Sequence, residues 1–152
     1  MKKLSILSTL VAILFFLLSV QSFAQHGMKW SGSGGWGPAS QYCRTYNPAT
    51  VESLSGEVIN VEKFVPGKGM SYGIHLTLKT DRETIPIHLG PSWYVENQDT
   101  KIGAGDKIEV KGSRITYAGK PAIIAAEIKK GDEILTLRDE NGIPAWAGWR
   151  RR

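Results

Sequence analysis

Apolar and polar residues alternate along much of the chain after residue 50, with the period of two that is typical of half-buried strands. "LSGEVINVEKFV" is rich in β-branched residues, and "YGIHLTLKT" and "TIPIHLG" alternate apolar with polar positions. Strand patterns return in "KIEVKGSRITY" and "KPAIIAAEIKK". A last pair, "EILTLRD" and "IPAWAGW", is joined by Glu140-Asn141-Gly142, whose Asn-Gly step favours a hairpin turn. The pattern therefore predicts five strands and an extra C-terminal hairpin.

The segment between the third and fourth strands points to the fold class. "PSWYVENQDTKI" breaks the alternation, and Pro91-Ser92 can open a helical turn there. Five strands with an insertion at this place is the layout of an OB-fold, a small Greek-key barrel. A β-sandwich is the alternative, but it would need more strands in this length. We expect an all-β, OB-fold-like barrel over residues 50–149.

The N-terminus has the layout of a secretory signal peptide. "MKKLSILSTLVAILFFLLSVQSFAQ" begins with two lysines, continues as an apolar run over 4–20 and ends in small residues. This predicts a signal peptide over 1–24, cleaved between Ala24 and Gln25, and an exported, periplasmic protein. The alternative is an uncleaved membrane anchor, since the run approaches the roughly 20 residues that span a bilayer.

Residues 25–49 are rich in glycine and serine and lack periodicity, which predicts a flexible arm whose aromatic side chains can dock on the domain. Cys43 is the one cysteine of the chain, so no intrachain disulfide can form. Its thiol can pair with another molecule, ligate a metal or simply be tolerated, and we favour the last.

The formal net charge of +5 has two sources outside the predicted domain. Lys2 and Lys3 belong to the predicted signal, and the tail Arg150, Arg151 and Arg152 supplies the rest of the excess. A nearly neutral domain makes nucleic acid an unlikely partner, because binding to phosphates usually requires a basic face. The tail over 150–152 can meet an acidic partner or lipid headgroups, although a short basic tail is more often simply solvated.

Two of the three histidines, His75 and His88, flank the turn between the second and third strands. Strand parity places both side chains on the outer face, away from the core. A two-residue or four-residue loop around Asp81-Arg82 puts His75 opposite His88. Pro86 then lies opposite Thr77 in a non-hydrogen-bonded pair, where its missing N–H costs nothing. A three-residue loop would part the pair.

Two adjacent imidazoles are a candidate copper or zinc site. Such a site needs more ligands, and Met70 before the hairpin with His26 and Met28 on the arm can complete a set suited to copper. The alternative, which we favour, is two exposed and partly stacked histidines on a solvated sheet face.

A family resemblance rests on several stretches of sequence. "GEVINV" and "GDKIEVKGSRITYAGKPAIIAAEIKKGD" resemble periplasmic OB-fold proteins of bacteria. "IPIHLGPSWYVENQ", "GKPAIIAAEI" and "LRDENGIPAWAGW" are similar, more narrowly, to the C-terminal domain of magnetosome-associated proteins of the MamS and MamX type, over about Thr50 to Trp149. Proteins of the X type also carry c-type haem motifs, which implies a redox setting. This chain has no C-x-x-C-H, so covalent haem is excluded.

No H-E-x-x-H motif and no phosphate loop occur in the chain. The sequence therefore predicts a non-enzymatic OB-fold binding module of the bacterial envelope that engages a protein, a small ligand or a metal. Its ligand face and rim are assigned to Tyr72, Thr77, Trp93 and Tyr94, since strands two and three form the usual OB ligand face. Metal binding or a redox-accessory role is the first alternative, and single-stranded nucleic-acid binding is the second.

Overall fold

The computed structural model describes residues 33–147, which form six strands and a few short helical turns. The strands are β1 (Val51–Phe64), β2 (Gly73–Lys79), β3 (Thr84–Pro91), β4 (Lys107–Tyr117), β5 (Lys120–Lys130) and β6 (Glu133–Thr136). One turn of helix, α1 (Ser92–Val95), separates β3 from β4. Short 3₁₀ turns lie at Cys43–Thr45, Pro48–Thr50 and Ala145–Ala147.

The strands close into a ring, which confirms the OB-like barrel. Their order is β3-β2-β1-β4-β5-β6, and a parallel pairing of β3 with β5 joins the two arms of the sheet. The helical turn α1 stands at the predicted insertion. The predicted C-terminal hairpin is reduced: β6 pairs with β5, but the returning chain makes only an isolated bridge between Arg138 and Pro144 before its 3₁₀ turn.

The barrel interior is filled by the apolar positions of the alternating strands. The first half of β1 pairs with β4 and its second half with β2, so one long strand serves two sides of the ring. The inward side chains are almost all branched aliphatics: Val58, Leu76, Leu78, Ile85, Ile87, Ile108, Val110 and Ile128 are buried. Burial of this apolar surface is the main favourable term for a domain without a disulfide.

Residues 33–49 do not form the flexible arm that their composition predicts. Trp36 is 0% exposed, and Tyr42, Cys43 and Tyr46 are also buried. The physical reason lies in β5, where five consecutive residues, Ala122 to Ala126, are all buried. A strand that is buried on both faces needs a layer outside the barrel as well as a core inside it. We call residues 33–50 the cover segment.

Trp36 anchors the cover segment in a notch that glycine leaves open. Its indole Nε1 donates to the backbone oxygen of Ser71 at 3.0 Å, and its own backbone oxygen accepts from Trp146 Nε1 at 2.8 Å. A Cβ at Gly73 would lie 2.4 Å from the Trp36 ring, and one at Gly90 would lie 2.7 Å from the Trp146 ring. The β2 and β3 backbones therefore accept these rings only because both positions lack a side chain.

Several predictions fall outside residues 33–147. These are the signal peptide with its cleavage site at Ala24 and Gln25, the ligands His26 and Met28, Trp149 and the tail Arg150–Arg152. Within the described part of the chain, none of the helices has the length and apolar character needed to cross a membrane.

We expect Gly73→Ala to destabilise the domain by about 1–3 kcal/mol, the usual cost of an extra methyl group in a packed core. Its Cβ would meet both the Trp36 ring and, at 2.9 Å, the Phe64 ring. Urea unfolding followed by tryptophan fluorescence measures the change. Gly103→Ala is the control, because nothing lies within 4 Å of its Cβ position. Equal effects of the two substitutions would refute the notch as a tight fit.

Candidate functional site

The hairpin of β2 and β3 has the register that the sequence predicts. His75 pairs with His88, and Thr77 pairs with Pro86. The loop is the four-residue form, closed by a hydrogen bond from Thr80 N to Glu83 O at 2.8 Å. One residue beyond the histidines a bulge makes β3 one residue longer than β2, between the pairs His75–His88 and Ile74–Gly90.

The predicted exposure of the pair is wrong for His88, which is 1% exposed. Its side chain does leave the barrel interior, as strand parity requires, but it enters the second layer instead of water. The rings of Phe64 and Tyr117 lie 4.5 and 4.8 Å from its ring centroid, and Tyr42 of the cover segment lies 6.0 Å away. His88 is thus the polar centre of a closed aromatic cluster.

A buried hydrogen bond satisfies His88. Tyr42 Oη lies 2.8 Å from His88 Nδ1, and the two rings are stacked at 24°. Burial lowers the pKa of His88 to about 3, with smaller contributions from the charges of His75 and Arg138. Burial also raises the pKa of Tyr42 above its usual range. A neutral imidazole beside a neutral phenol follows, with the phenol as donor and the Nδ1 lone pair as acceptor.

His75 occupies the half-buried side of the same cluster. Its ring stacks on Phe64 at 4.8 Å and 9°, and its Nε2 lies 3.3 Å from Glu62 Oε2 on the neighbouring strand. The ring centroids of His75 and His88 are 6.1 Å apart. Phe64 packs against both imidazoles, so the two histidines are part of an aromatic stack and do not form an isolated pair of rings.

The structure brings together only part of the predicted metal set. Met70 lines a groove of about 450 Å³ with Tyr42 and Tyr117, and neither His75 nor His88 is part of that lining. Tyr42 already occupies Nδ1 of His88. Within residues 33–147, no three histidine, cysteine, aspartate or glutamate side chains are grouped as a metal site. Cys43 is buried, and its thiol faces the backbone oxygen of Trp36 at 3.6 Å.

The four predicted face and rim residues have different environments. Tyr94 is buried and packs against Trp146 at 5.3 Å, and Trp93 is partly buried against the core, so α1 caps one end of the barrel. Tyr72 is 59% exposed at the start of β2, and Thr77 is half-buried on the outer face. Of the four, only Tyr94 is therefore fully buried, and Tyr72 is the most exposed.

Sequence reasoning missed Arg138, which is buried beside the cluster. Its Nη1 donates to the backbone oxygens of Leu89 (2.9 Å) and Ala125, and its guanidinium lies 4.9 Å from the Trp146 ring centroid. Its Nη2 has no hydrogen-bond partner within the described residues. The one available signal was the odd position of an arginine inside "LTLRD", directly after buried Leu137.

Comparison with known families gives one match. The sequence model of the MamS/MamX magnetosome protein family matches residues 50–135, which run from the end of the cover segment to β6. No curated protein matches the chain.

We expect the domain to lose stability as the pH falls below about 6.5, because His88 binds a proton in the unfolded chain but not in the folded one until the pH nears 3. The unfolded state then holds more protons, so the free energy of unfolding rises with pH through this window, by up to about 1.4 kcal/mol per pH unit. Urea unfolding between pH 4.5 and 6.5, above the range of most carboxylates, measures the slope.

His88→Leu should flatten this slope, because it removes the titrating group and keeps the site apolar. His75→Gln is the control and should leave most of the slope in place, because burial is the main cause of the low pKa of His88 and that burial remains. A slope that persists in His88→Leu would refute the assignment.

Proposed function

Since the chain belongs to the MamS/MamX magnetosome protein family, we propose that it is an exported, non-enzymatic binding module of the bacterial envelope. Family membership fits a magnetosome-associated envelope protein. The predicted signal peptide supports export into the periplasm. One observation carries the proposal. The cover segment buries one half of the surface that binds ligands in OB-folds, the closed half, and leaves the other half exposed, the open half.

The closed half supports a non-enzymatic role. In OB-folds the outer surface of strands two and three and the adjacent loops bind ligands. Here the β3 side of that surface is occupied by Tyr42, which lies on His88. A histidine held neutral in a closed aromatic cluster is poorly placed for general acid–base work, which needs access to a reacting group and a pKa near the working pH.

The open half supports docking of a partner. Tyr72 and Val65 flank the β1–β2 loop and are 59% and 46% exposed. Tyrosine combines apolar area with a hydrogen-bonding group, which suits an interface with a protein. His75 and Thr77 lie further along β2 and are half-buried. We call Val65 and Tyr72 the open face.

The remaining outer surface supports a protein partner over single-stranded nucleic acid. Lysine and glutamate oppose one another across the strands, as in the pairs Lys111–Glu127, Glu109–Lys129 and Glu57–Lys107. Such alternation gives no basic stripe for a phosphate backbone. The open face itself carries no lysine or arginine.

A photo-reactive amino acid at position 72 should form a covalent adduct with one envelope protein in living cells, because the Tyr72 side chain projects from the open face. The adduct is detected as a discrete higher-mass species on a gel and identified by mass spectrometry. The control is the same amino acid at position 109, an exposed position of β4 that pairs with Ser55 of β1. Val65→Asp should reduce the adduct at position 72. Equal adducts at both positions, or none at either, would contradict the proposal.

A second candidate is copper or zinc binding by the histidine pair, and the register that places His75 opposite His88 favours it. The accessible donors are His75 Nε2 and Glu62 Oε2, which lie 3.3 Å apart. Neutral imidazole and carboxylate are both ligands for these ions. Further ligands would have to come from Met70 or from His26 and Met28.

Titration of the purified protein with copper and with zinc tests this second candidate. His75→Ala should then weaken copper binding by at least about tenfold, a typical loss for one ligand. Thr77→Ala, two residues along the same face, should leave binding unchanged. An affinity that survives in the His75→Ala, His88→Ala double variant would exclude the pair as the site.

A further inference from the structure

A second apolar groove lies away from the open face, between the second half of β1 and the segment that follows α1. It has a volume of about 280 Å³. Its apolar lining is Val61, Ile74, Leu89, Val95, Ile102 and Leu135. Ile74, Leu89 and Leu135 are buried core residues, so the groove floor is the core itself. Small-molecule sites have this character, an apolar concavity with few polar groups at the mouth.

The groove exists because β1 loses its neighbour on one side. The ladder between β1 and β4 ends at Glu57, and the last backbone bonds on that side join Val58 to Gly105 and Asp106. Beyond this point β1 continues to pair with β2 alone. Ile59 and Val61 are consequently 47% and 37% exposed, although β-branched residues on a barrel strand are usually covered.

The charges at the groove mouth leave one cation unpaired. Glu96 is paired with Lys63 at 3.2 Å. The Glu62 carboxylate lies with His75 on the outer face of the hairpin. Lys101 donates to the backbone oxygen of Glu96 at 2.6 Å and makes no ion pair within residues 33–147. An anionic group at the mouth of the groove would therefore find Lys101 as its partner.

We propose that this groove binds a medium-chain carboxylate, with its linear apolar chain on Ile74, Leu89 and Leu135 and its carboxylate at Lys101. The volume sets the size of the ligand. At the ~30 Å³ that a water molecule occupies in the liquid, 280 Å³ holds about nine non-hydrogen atoms. A chain of about eight carbons fits, with the carboxylate in the mouth. The inference goes beyond the protein docking proposed for the open face, because the groove is a separate site for a small ligand.

Isothermal titration calorimetry of the purified, naturally processed protein with sodium octanoate tests the site. We expect saturable binding of one octanoate per chain and no binding of acetate, which lacks the apolar chain. Uncharged 1-octanol should bind about fivefold more weakly, the contribution of one exposed ion pair.

Substitutions at two places test the binding of the carboxylate and of the apolar chain separately. Lys101→Gln should weaken octanoate binding about fivefold, to the level of 1-octanol, whereas Lys129→Gln, a lysine outside the groove, should have no effect. Val61→Trp should abolish binding of both ligands by filling the groove. Val95→Trp fills the groove from α1 and replaces Val61→Trp if that variant fails to fold by circular dichroism.

Three results would overturn the assignment: no saturable heat with octanoate, octanoate binding unchanged in the folded groove-filling variant, or equal octanoate affinities of the wild type and Lys101→Gln. A failure here is distinguishable from a failure of the envelope-binding proposal. The photo-crosslinking test at position 72 does not involve the groove and reads out a protein partner.

Discussion

The docking of Trp36 against Gly73 is the contact on which the second layer depends. The Trp36 indole donates to the backbone oxygen of Ser71 and packs edge-on against Tyr42 and Phe64 at 5.2 and 6.3 Å, while the Trp36 backbone oxygen accepts from Trp146 Nε1. It thereby joins the cover segment, the β1–β2 loop and the C-terminal turn. Tyr42 lies six residues further along the chain, at the start of the first 3₁₀ turn, and its ring contacts both Trp36 and His88. The ring of strands is the scaffold, and the cover segment that Trp36 anchors buries part of its outer surface.

The register of the β2–β3 hairpin was predictable because it depends on local chemistry. Strand parity and a proline that cannot donate favour the pairing of His75 with His88, and the four-residue loop of the structure settles it against the three-residue loop that would part the two. The ring closure was predictable at the level of strand order and the place of α1. The bulge beyond the histidines was not, since one extra residue in β3 leaves no mark on the alternation.

Strand parity did not predict which side chains are buried outside the barrel. It tells which side chains point into the barrel and which point out of it, but not whether another segment covers those that point out. His88 was misjudged, and Arg138 was missed, for this reason. The missed signal was the unbroken apolar run in β5, "AIIAA", which is typical of a strand covered on both faces. The glycine-rich composition of residues 33–37 predicted a flexible segment, because glycine raises the entropic cost of ordering the backbone. The burial of a few aromatic rings can offset that cost.

The bond between Trp146 and Trp36 joins positions 110 residues apart in sequence. The first and last described turns of the chain therefore meet at one place on the barrel. A domain whose ends lie side by side can be spliced into a longer polypeptide as a closed insert, because the flanking chain enters and leaves at the same point without pulling on the ring. The architecture is thus suited to reuse as a portable unit.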